Sequence, residues 1–162
     1  MRQIRIEKVL LSSGATGDDL QKAKKLLEFI SGSKAHLVAS RKRIPEFDVR
    51  PGLEVGTRVT LRGEKAVDLL RKLLGAVDNE LPKKYVADNH FSFGIKEYID
   101  IPGVEYKREI GIRGFNVTIV FTRKGTRVKV KKIKRGSLPK KQFIPQEEII
   151  KFMEESFKTK FK

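Results

Sequence analysis

Apolar residues recur along the chain at two spacings, and each spacing predicts one kind of element. Alternation of apolar and polar residues indicates a strand, because successive side chains of a strand point to opposite faces. Six segments are predicted as strands: QIRIEKVLLSS, AHLVAS, VGTRVTLRG, NHFSFGIKEYIDIPG, RGFNVTIVFTRKG and TRVKVKKI. In the first, the alternation slips near Lys8, which indicates a bulge. In the last, Val128, Val130 and Lys132 share one side, and the other side carries only cations.

Other segments place apolar residues three or four positions apart, which predicts helices. They are GDDLQKAKKLLEFISG, GEKAVDLLRKLLGAV and PQEEIIKFMEESF. Gly32 is suited to close the first helix, and Pro145 is suited to the first helical position of the last. In the last helix Ile149, Phe152, Met153 and Phe157 form the expected buried stripe. The segment RKRIPEFDVRPG contains two prolines and is predicted as a loop.

These elements predict an α+β fold, with a mostly antiparallel β-sheet and helices packed on one face, as an RRM-like or ferredoxin-like variant. No linker or low-complexity tract divides the chain. We therefore expect a single domain over residues 1–162, with a basic extended segment over residues 123–143 before the last helix. A chain of this length buries roughly 70% of the surface its unfolded form exposes, so one core suffices without disulfides or structural metals.

Charge narrows the classes of partner. The chain has 36 Lys and Arg against 20 Asp and Glu, a net charge of +16. Residues 123–141 hold ten Lys or Arg and no acid, and SRKRIPEFDVR forms a second basic cluster. Such one-signed charge favours a polyanion, either nucleic acid or an anionic membrane. No apolar run approaches the roughly 20 residues of a membrane span, and the start lacks the apolar core of a secretory signal, so a cytosolic protein is expected.

Catalytic chemistry finds little support. His36 and His90 are the only histidines, neither has metal-ligand spacing, and the absence of Cys excludes thiol zinc sites. The adjacent acidic pairs are typical of helix ends and solvent faces. They are Asp18 with Asp19, Glu147 with Glu148, and Glu154 with Glu155. The sequence therefore predicts neither an enzyme nor a cofactor.

Two short motifs admit a nucleic-acid interpretation beside a structural one. SSGATGDD could offer backbone N–H groups to phosphate, but it lacks G-K-[ST], and a plain strand-to-helix turn is favoured. RGFNVTIV begins like the RRM aromatic signature, yet Val117 and Val120 stand where stacking rings belong. Phe91 and Phe93 are more typical of core than of a base platform. The basic segments thus carry the functional prediction.

RNA is favoured over DNA because common DNA-reading motifs are absent, while a basic sheet face suits folded RNA. The alternative is a basic interaction module for anionic membranes or acidic proteins. An RNA-processing enzyme would require a composite site using His36 or His90. Membrane binding needs an amphipathic helix with a cationic polar face, whereas the polar face of the last helix is mostly acidic.

Several strings resemble, in order and over essentially the whole chain, the universal large-subunit ribosomal protein five family, counted as protein eleven in eukaryotes. They are IRIEKVLL, LLEFISG, VGTRVTLRGEKA, FSFGIKEYIDIPGVEY, IGIRGFNVTIVF and IPQEEIIKFM. The long basic segment before the last helix resembles the archaeal and eukaryotic branch, and the missing N-terminal helix of the bacterial form resembles archaeal members. The resemblance implies a 5S rRNA-binding protein of the central protuberance.

The resemblance also implies sites. In the family two amides, a Phe and a Thr contact 5S rRNA. The Phe and Thr correspond to Phe47 and Thr60, while LSSGAT and SGS replace the amide motifs. Serine is shorter than an amide and offers one donor where the amide has two. The implied 5S rRNA-binding residues are Ser12, Gly14, Ser33, Phe47, Thr60 and Arg62.

The family's partners define the remaining expectations. A mobile loop, here residues 41–52, reaches the P-site tRNA, which assigns Arg41, Lys42, Arg43 and Arg50 to tRNA contact. The basic segment is expected to contact large-subunit rRNA phosphates through Arg123, Lys124, Arg127, Lys129, Lys131, Lys132, Lys134, Arg135, Lys140 and Lys141. Neighbouring large-subunit proteins and protein thirteen of the small-subunit head are further implied partners.

Overall fold

The computed structural model describes residues 3–162, which form the α+β fold expected from the sequence. The α-helices are α1 (Asp18–Ser31), α2 (Glu64–Gly75), α3 (Arg127–Val130) and α4 (Gln146–Phe157). The strands are β1 (Ile4–Gly14), β2 (His36–Ala39), β3 (Glu54–Leu61), β4 (Glu80–Leu81), β5 (Val86–Ala87), β6 (His90–Ile95), β7 (Phe115–Arg123) and β8 (Lys160–Phe161). Six strands form a mostly antiparallel sheet in the order β2-β3-β1-β7-β6-β5, and β4 pairs with β8 in parallel.

The chain divides into two compact units. One unit contains Leu10–Leu61 and Gly94–Val117, and we call it the loop-bearing unit because it includes residues 41–52. The other contains residues 3–9, Arg62–Phe93 and Thr118–Lys162, and we call it the C-terminal unit. Each is described by its own residues.

In the loop-bearing unit, α1 packs against β3, and β2 pairs antiparallel with β3. Leu20, Ala23 and Leu27 of α1 are buried, as their helical spacing predicts. Gly32 ends the helix in the left-handed conformation at φ 60°, and its N–H donates to Glu28 O at 2.9 Å. These features confirm the predicted helix and its closing glycine.

The C-terminal unit has an aromatic core. Phe91 packs against Phe93 and Phe121, with ring centroids 5.9 Å apart in both pairs, and Phe121 meets Phe152 edge-on at 5.8 Å. Phe91 and Phe93 are buried, so the core interpretation of this pair is confirmed. A base platform on these two rings is excluded, because a stacking ring must be accessible.

Three predicted boundaries or elements are wrong. TRVKVKKI is not a strand: residues 127–130 form α3, and Lys129 N–H and Lys131 N–H donate to Thr126 O and Arg127 O. Val130 is 76% exposed, so the two valines that suggested alternation have no core to face. The segment's backbone bonds are therefore local, and no strand pairs with it among residues 3–162.

The other two corrections concern element ends. NHFSFGIKEYIDIPG is a strand only to Ile95, and Tyr98–Asp100 form a 3-10 turn. The chain bends there because Tyr98 is buried and its hydroxyl accepts the Lys107 N–H at 2.8 Å. Pro145 lies before α4 instead of opening it, because its ψ of 159° is extended while its carbonyl accepts the Glu148 N–H.

Candidate nucleic-acid interface

One face of β3 in the loop-bearing unit is polar and open. Thr57, Val59 and Leu61 are buried, while Arg58 and Thr60 between them are exposed. This alternation follows directly from VGTRVTLRG and sets a cation beside a hydroxyl on the open face. His36 of β2 pairs with Arg58 in register, so it lies on the same face. Arg58 and His36 are absent from the site residues that the sequence analysis assigned, although the alternation itself could have identified Arg58.

Ser12 belongs to the same open face by its position in β1. Leu11 is fully buried and Ser12 is half-buried, so the two side chains point to opposite sides of the sheet. Gly14 ends β1 and is exposed, and Ala15 N–H donates to Val55 O at 3.1 Å. This bond joins the ends of β1 and β3.

Ser33 lies in the turn after α1 and not on a strand. Ser31 Oγ donates to Leu27 O at 2.6 Å, and Ser33 N–H donates to Ser31 Oγ at 3.2 Å. These bonds fix the backbone at Ser33 and leave the residue half-buried. Arg62 directly follows β3, is exposed, and belongs to the C-terminal unit.

Residues 41–52 form a turned loop that presents Phe47. Ile44 and Val49 exchange two backbone hydrogen bonds, of 2.9 and 3.1 Å, and close a tip that contains one 3-10 turn, Pro45–Phe47. Asp48 takes the left-handed conformation at φ 50°. Phe47 at this tip is 71% exposed, whereas Val49 is buried. An aromatic ring held outward by its own loop is unusual for a core residue and typical of a contact residue.

The loop's base is also hydrogen-bonded. Ser40 N–H donates to Leu53 O at 2.8 Å, and Gly52 N–H donates to Ser40 O at 2.9 Å. Ser40 Oγ donates to Lys42 O at 2.7 Å. The four cations assigned to this loop are all exposed: Arg41, Lys42, Arg43 and Arg50. The loop thus combines an outward ring with positive charge.

The basic segment of the C-terminal unit is fastened at both ends. Near its start Arg123 Nη2 donates to Glu148 Oε2 at 2.6 Å, and the Arg123 side chain is only 11% exposed. At its end Ile144 N–H donates to Asn89 Oδ1 at 2.9 Å, and Asn89 N–H donates to Ile144 O at 3.1 Å. Asn89, which the sequence analysis did not single out, therefore holds the return of the segment. No local signal could have indicated it, because its partner is 55 residues away.

The other nine predicted phosphate contacts are exposed: Lys124, Arg127, Lys129, Lys131, Lys132, Lys134, Arg135, Lys140 and Lys141. Arg123 differs, since its guanidinium is mostly buried against Glu148. Arg135 Nε donates to Lys131 O at 3.1 Å, which orders one of these cations. The segment is a closed excursion with a cationic exterior.

Other chemistry is sparse in the part of the chain that the structure describes. Among residues 3–162, no three His, Cys, Asp or Glu side chains are grouped to hold a metal, and no helix is both long and apolar enough for a bilayer. His90 Nδ1 lies 3.1 Å from Asp88 O and both histidines are exposed. The pKa of Glu80 is lowered by its hydrogen bond and ion pair with Lys162.

Comparison with known proteins identifies the lineage of this chain. The family model that describes the C-terminus of the uL5 ribosomal protein family matches residues 54–152. The large ribosomal subunit protein uL5 of Nanoarchaeum equitans is 42% identical over 96% of this chain and 94% of its own length. The chain belongs to the uL5 family. The uL5 proteins of Sulfolobus acidocaldarius and Methanobrevibacter smithii are 41% and 35% identical, covering 97% and 99% of this chain and 90% and 96% of their own lengths.

Membership in the uL5 family confirms the resemblance drawn from the sequence strings, including its archaeal type. It also decides the question of catalysis, because the chain is a ribosomal protein and not an enzyme. The family model covers β3, α2, β6 and β7 together with the basic segment and most of α4. Both candidate interfaces therefore lie on elements whose order is that of the family.

Proposed function

We propose that this chain is a structural protein of the large ribosomal subunit, in the cytoplasm, that holds 5S rRNA on the open face of its loop-bearing unit and touches P-site tRNA through residues 41–52. Large-subunit rRNA, neighbouring large-subunit proteins and protein thirteen of the small-subunit head complete its partners. The observation that carries the proposal is the open β3 face with its cation and hydroxyl, in a chain that matches large-subunit relatives over nearly full length.

The sheet face supplies donors for an RNA backbone. Arg58 and Thr60 project from one side of β3, and Ser12 lies on the same face of the sheet. Guanidinium and hydroxyl donors suit phosphate oxygens and ribose 2′-hydroxyls, which dominate recognition of folded RNA. The serines in place of the family's amides shorten the reach of the contact, so backbone shape carries more of the recognition here.

The loop supplies a different chemistry. Phe47 is presented at a hydrogen-bonded tip, where a ring can stack on an unpaired base or pack against a ribose. Arg41, Lys42 and Arg43 flank it and can neutralise nearby phosphates. An arm that pairs one exposed ring with several cations fits contact with the folded elbow of a tRNA better than contact with a lipid surface.

The basic segment supplies affinity that does not depend on base sequence. Its nine exposed Lys and Arg have no acidic residue among them over residues 123–141. Six to ten phosphate contacts release enough counterions to change affinity by about three to five decades between low and moderate salt, by analogy with duplex DNA. We expect this segment to position the protein on rRNA, while the sheet face selects 5S rRNA.

The test is a titration of labelled 5S rRNA with the full chain, with bulk tRNA as competitor, at several salt concentrations. Arg58→Gln with Thr60→Val should abolish most of the preference for 5S rRNA, and should reduce the salt slope by about one. The matched control is Arg71→Gln on α2, which removes the same charge from an exposed helix position.

The proposal fails if wild-type 5S rRNA binding collapses with salt and tRNA competes equally, since the isolated chain is then only a polycation. Vesicles of anionic lipid serve as a second competitor. Vesicle binding tighter than RNA binding at equal ionic strength would favour the alternative of a basic interaction module.

A further inference from the structure

A cleft of the C-terminal unit lies apart from the residues assigned to 5S rRNA. It encloses about 900 Å³ between β7 and the returning basic segment. Ligand sites typically measure about 300–1,000 Å³. Its floor includes Val120 and Phe121, and its walls include Leu138 and Phe143. We call it the basic cleft, because two cations of the basic segment, Lys129 and Arg135, also line it.

The walls of the basic cleft combine an exposed ring with an unsatisfied amide. Phe143 is 52% exposed although it stands beside buried Ile144. The Gln142 Oε1 atom is buried and has no hydrogen-bond partner within the described residues. A buried amide atom without a partner is costly, and a ligand that hydrogen-bonds the amide relieves that cost. The ring and the amide therefore favour a flat ligand with polar edges.

The charges favour an anionic group on the same ligand. Lys129 and Arg135 line the cleft against one carboxylate, Glu7. The Arg135 Nε donates to Lys131 O, so the guanidinium is held at the cleft while its Nη groups remain as donors. Glu7 can accept an N–H from a base edge, which a purely anionic peptide cannot offer.

The cleft is shaped by the fold of the segment and not by chance exposure. Gly136 N–H donates to Val128 O at 3.2 Å, and a Cβ at Gly136 would lie 2.8 Å from Val128 Cγ1. This close approach requires glycine and turns the chain back on itself. On the far side, Asn89 fastens Ile144 directly after Phe143. Both walls are thus held before any ligand arrives, which lowers the entropy cost of binding.

We propose that the basic cleft binds one unpaired nucleotide of RNA, with its base against Phe143 and hydrogen-bonded to the Gln142 amide, and its phosphate at Lys129 and Arg135. The inference rests on the proposed RNA-binding function and adds to it a second contact of different chemistry. It assigns single-stranded rRNA, such as a bulge or loop, as the substrate of this surface, because a paired base cannot leave its stack without a penalty.

The first arm of the test compares single-stranded with double-stranded RNA, using full-length protein and short labelled oligonucleotides. Phe143→Leu keeps apolar volume and removes the ring. We expect it to weaken single-strand binding roughly tenfold and to leave duplex binding unchanged, because stacking on an aromatic ring is lost. The control is Ile133→Ala, an apolar residue of the same segment that is 77% exposed and does not line the cleft.

The second arm separates the cleft from general positive charge. Lys129→Gln with Arg135→Gln should weaken single-strand binding several-fold more than Lys132→Gln with Lys134→Gln. Both pairs remove two exposed charges of the same segment, but only the first pair lines the cleft. Equal effects of the two pairs, or of the Phe143 and Ile133 variants, would overturn the inference, as would equal displacement by polyglutamate.

The same preparations distinguish this failure from failure of the proposed function. If the cleft variants behave like their controls while wild-type protein still prefers 5S rRNA over tRNA, the cleft inference alone is refuted. If wild-type protein shows no such preference either, the proposed function is refuted as well. Chemical shifts of the Gln142 side-chain amide on titration with nucleoside monophosphates, against inorganic phosphate, give a readout that affinity alone does not.

Discussion

Asn89 offers the sharpest test of how the structure holds the basic segment in place. Its side-chain Oδ1 accepts the N–H of Ile144 at 2.9 Å, and its backbone adopts the left-handed conformation at φ 64°. Its own carbonyl accepts the Phe121 N–H at 2.8 Å. One residue therefore links β7 and the entry to α4. The perturbation we choose is Asn89→Ala.

The expected destabilisation has two sources. Ile144 is fully buried, so removing Oδ1 leaves its N–H without a partner, which costs about 1–3 kcal/mol. Alanine tolerates the left-handed conformation poorly, which costs about 1–2 kcal/mol more. The free energy of unfolding should fall by about 2–5 kcal/mol, a large part of the roughly 5–15 kcal/mol typical of a folded protein.

Two companion variants separate these sources. Asn89→Asp keeps an acceptor near Ile144 and should cost under about 1 kcal/mol. Asn89→Gly keeps the backbone conformation but loses the acceptor, and should lie between the other two. The assay is urea unfolding followed by circular dichroism, in which a shift of the midpoint without a change of slope reports stability alone.

The reasoning is refuted if Asn89→Ala unfolds within about 0.5 kcal/mol of the wild type, the range of ordinary surface substitutions. It is equally refuted if Asn89→Asp is as unstable as Asn89→Ala. In either case the bond to Ile144 does not hold the segment.

Two further predictions concern packing and acid stability. Gly114→Ala should lower the free energy of unfolding by about 1–3 kcal/mol or more, because its Cβ would lie 2.5 Å from the carbonyl oxygens of Ile95 and Lys96; urea unfolding measures this. For Glu80, Lys162 lowers the carboxyl pKa in the folded state below its ordinary value of 4.5. Its contribution is therefore present above that pH and lost as the pH falls through the lowered pKa. Glu80→Gln should flatten this acidic part of the stability profile, measured as the urea midpoint against pH.

Each of these two predictions has a control. Gly14→Ala places its Cβ 3.9 Å from Val55 O, an ordinary contact, and should be far milder than Gly114→Ala. A Gly114→Ala protein as stable as this control would contradict the close approach. For Glu80, Lys162→Gln should flatten the same acidic region, since the two groups form one pair. An unchanged profile in both variants would contradict the lowered pKa.

Much of the fold could be predicted from local pattern. The helices α1, α2 and α4 follow from helical spacing of apolar residues, and Gly32 is suited to its role by its freedom at positive φ. The open face of β3 could be predicted from VGTRVTLRG, because alternation assigns each side chain to a face without reference to any partner. The prediction of α4 misplaced only its first residue, where Pro145 stays extended.

By itself, then, the sequence determined the helices and most strands, the excess of positive charge and the family, because these depend on spacing and composition along the chain. Only the tertiary structure decided that residues 127–130 form α3, that Arg123 pairs with Glu148, and that Asn89 receives Ile144. The physical reason is distance along the chain. Periodicity records which side of an element is apolar, whereas a hydrogen bond between residues 25 or 55 positions apart depends on which elements meet in space.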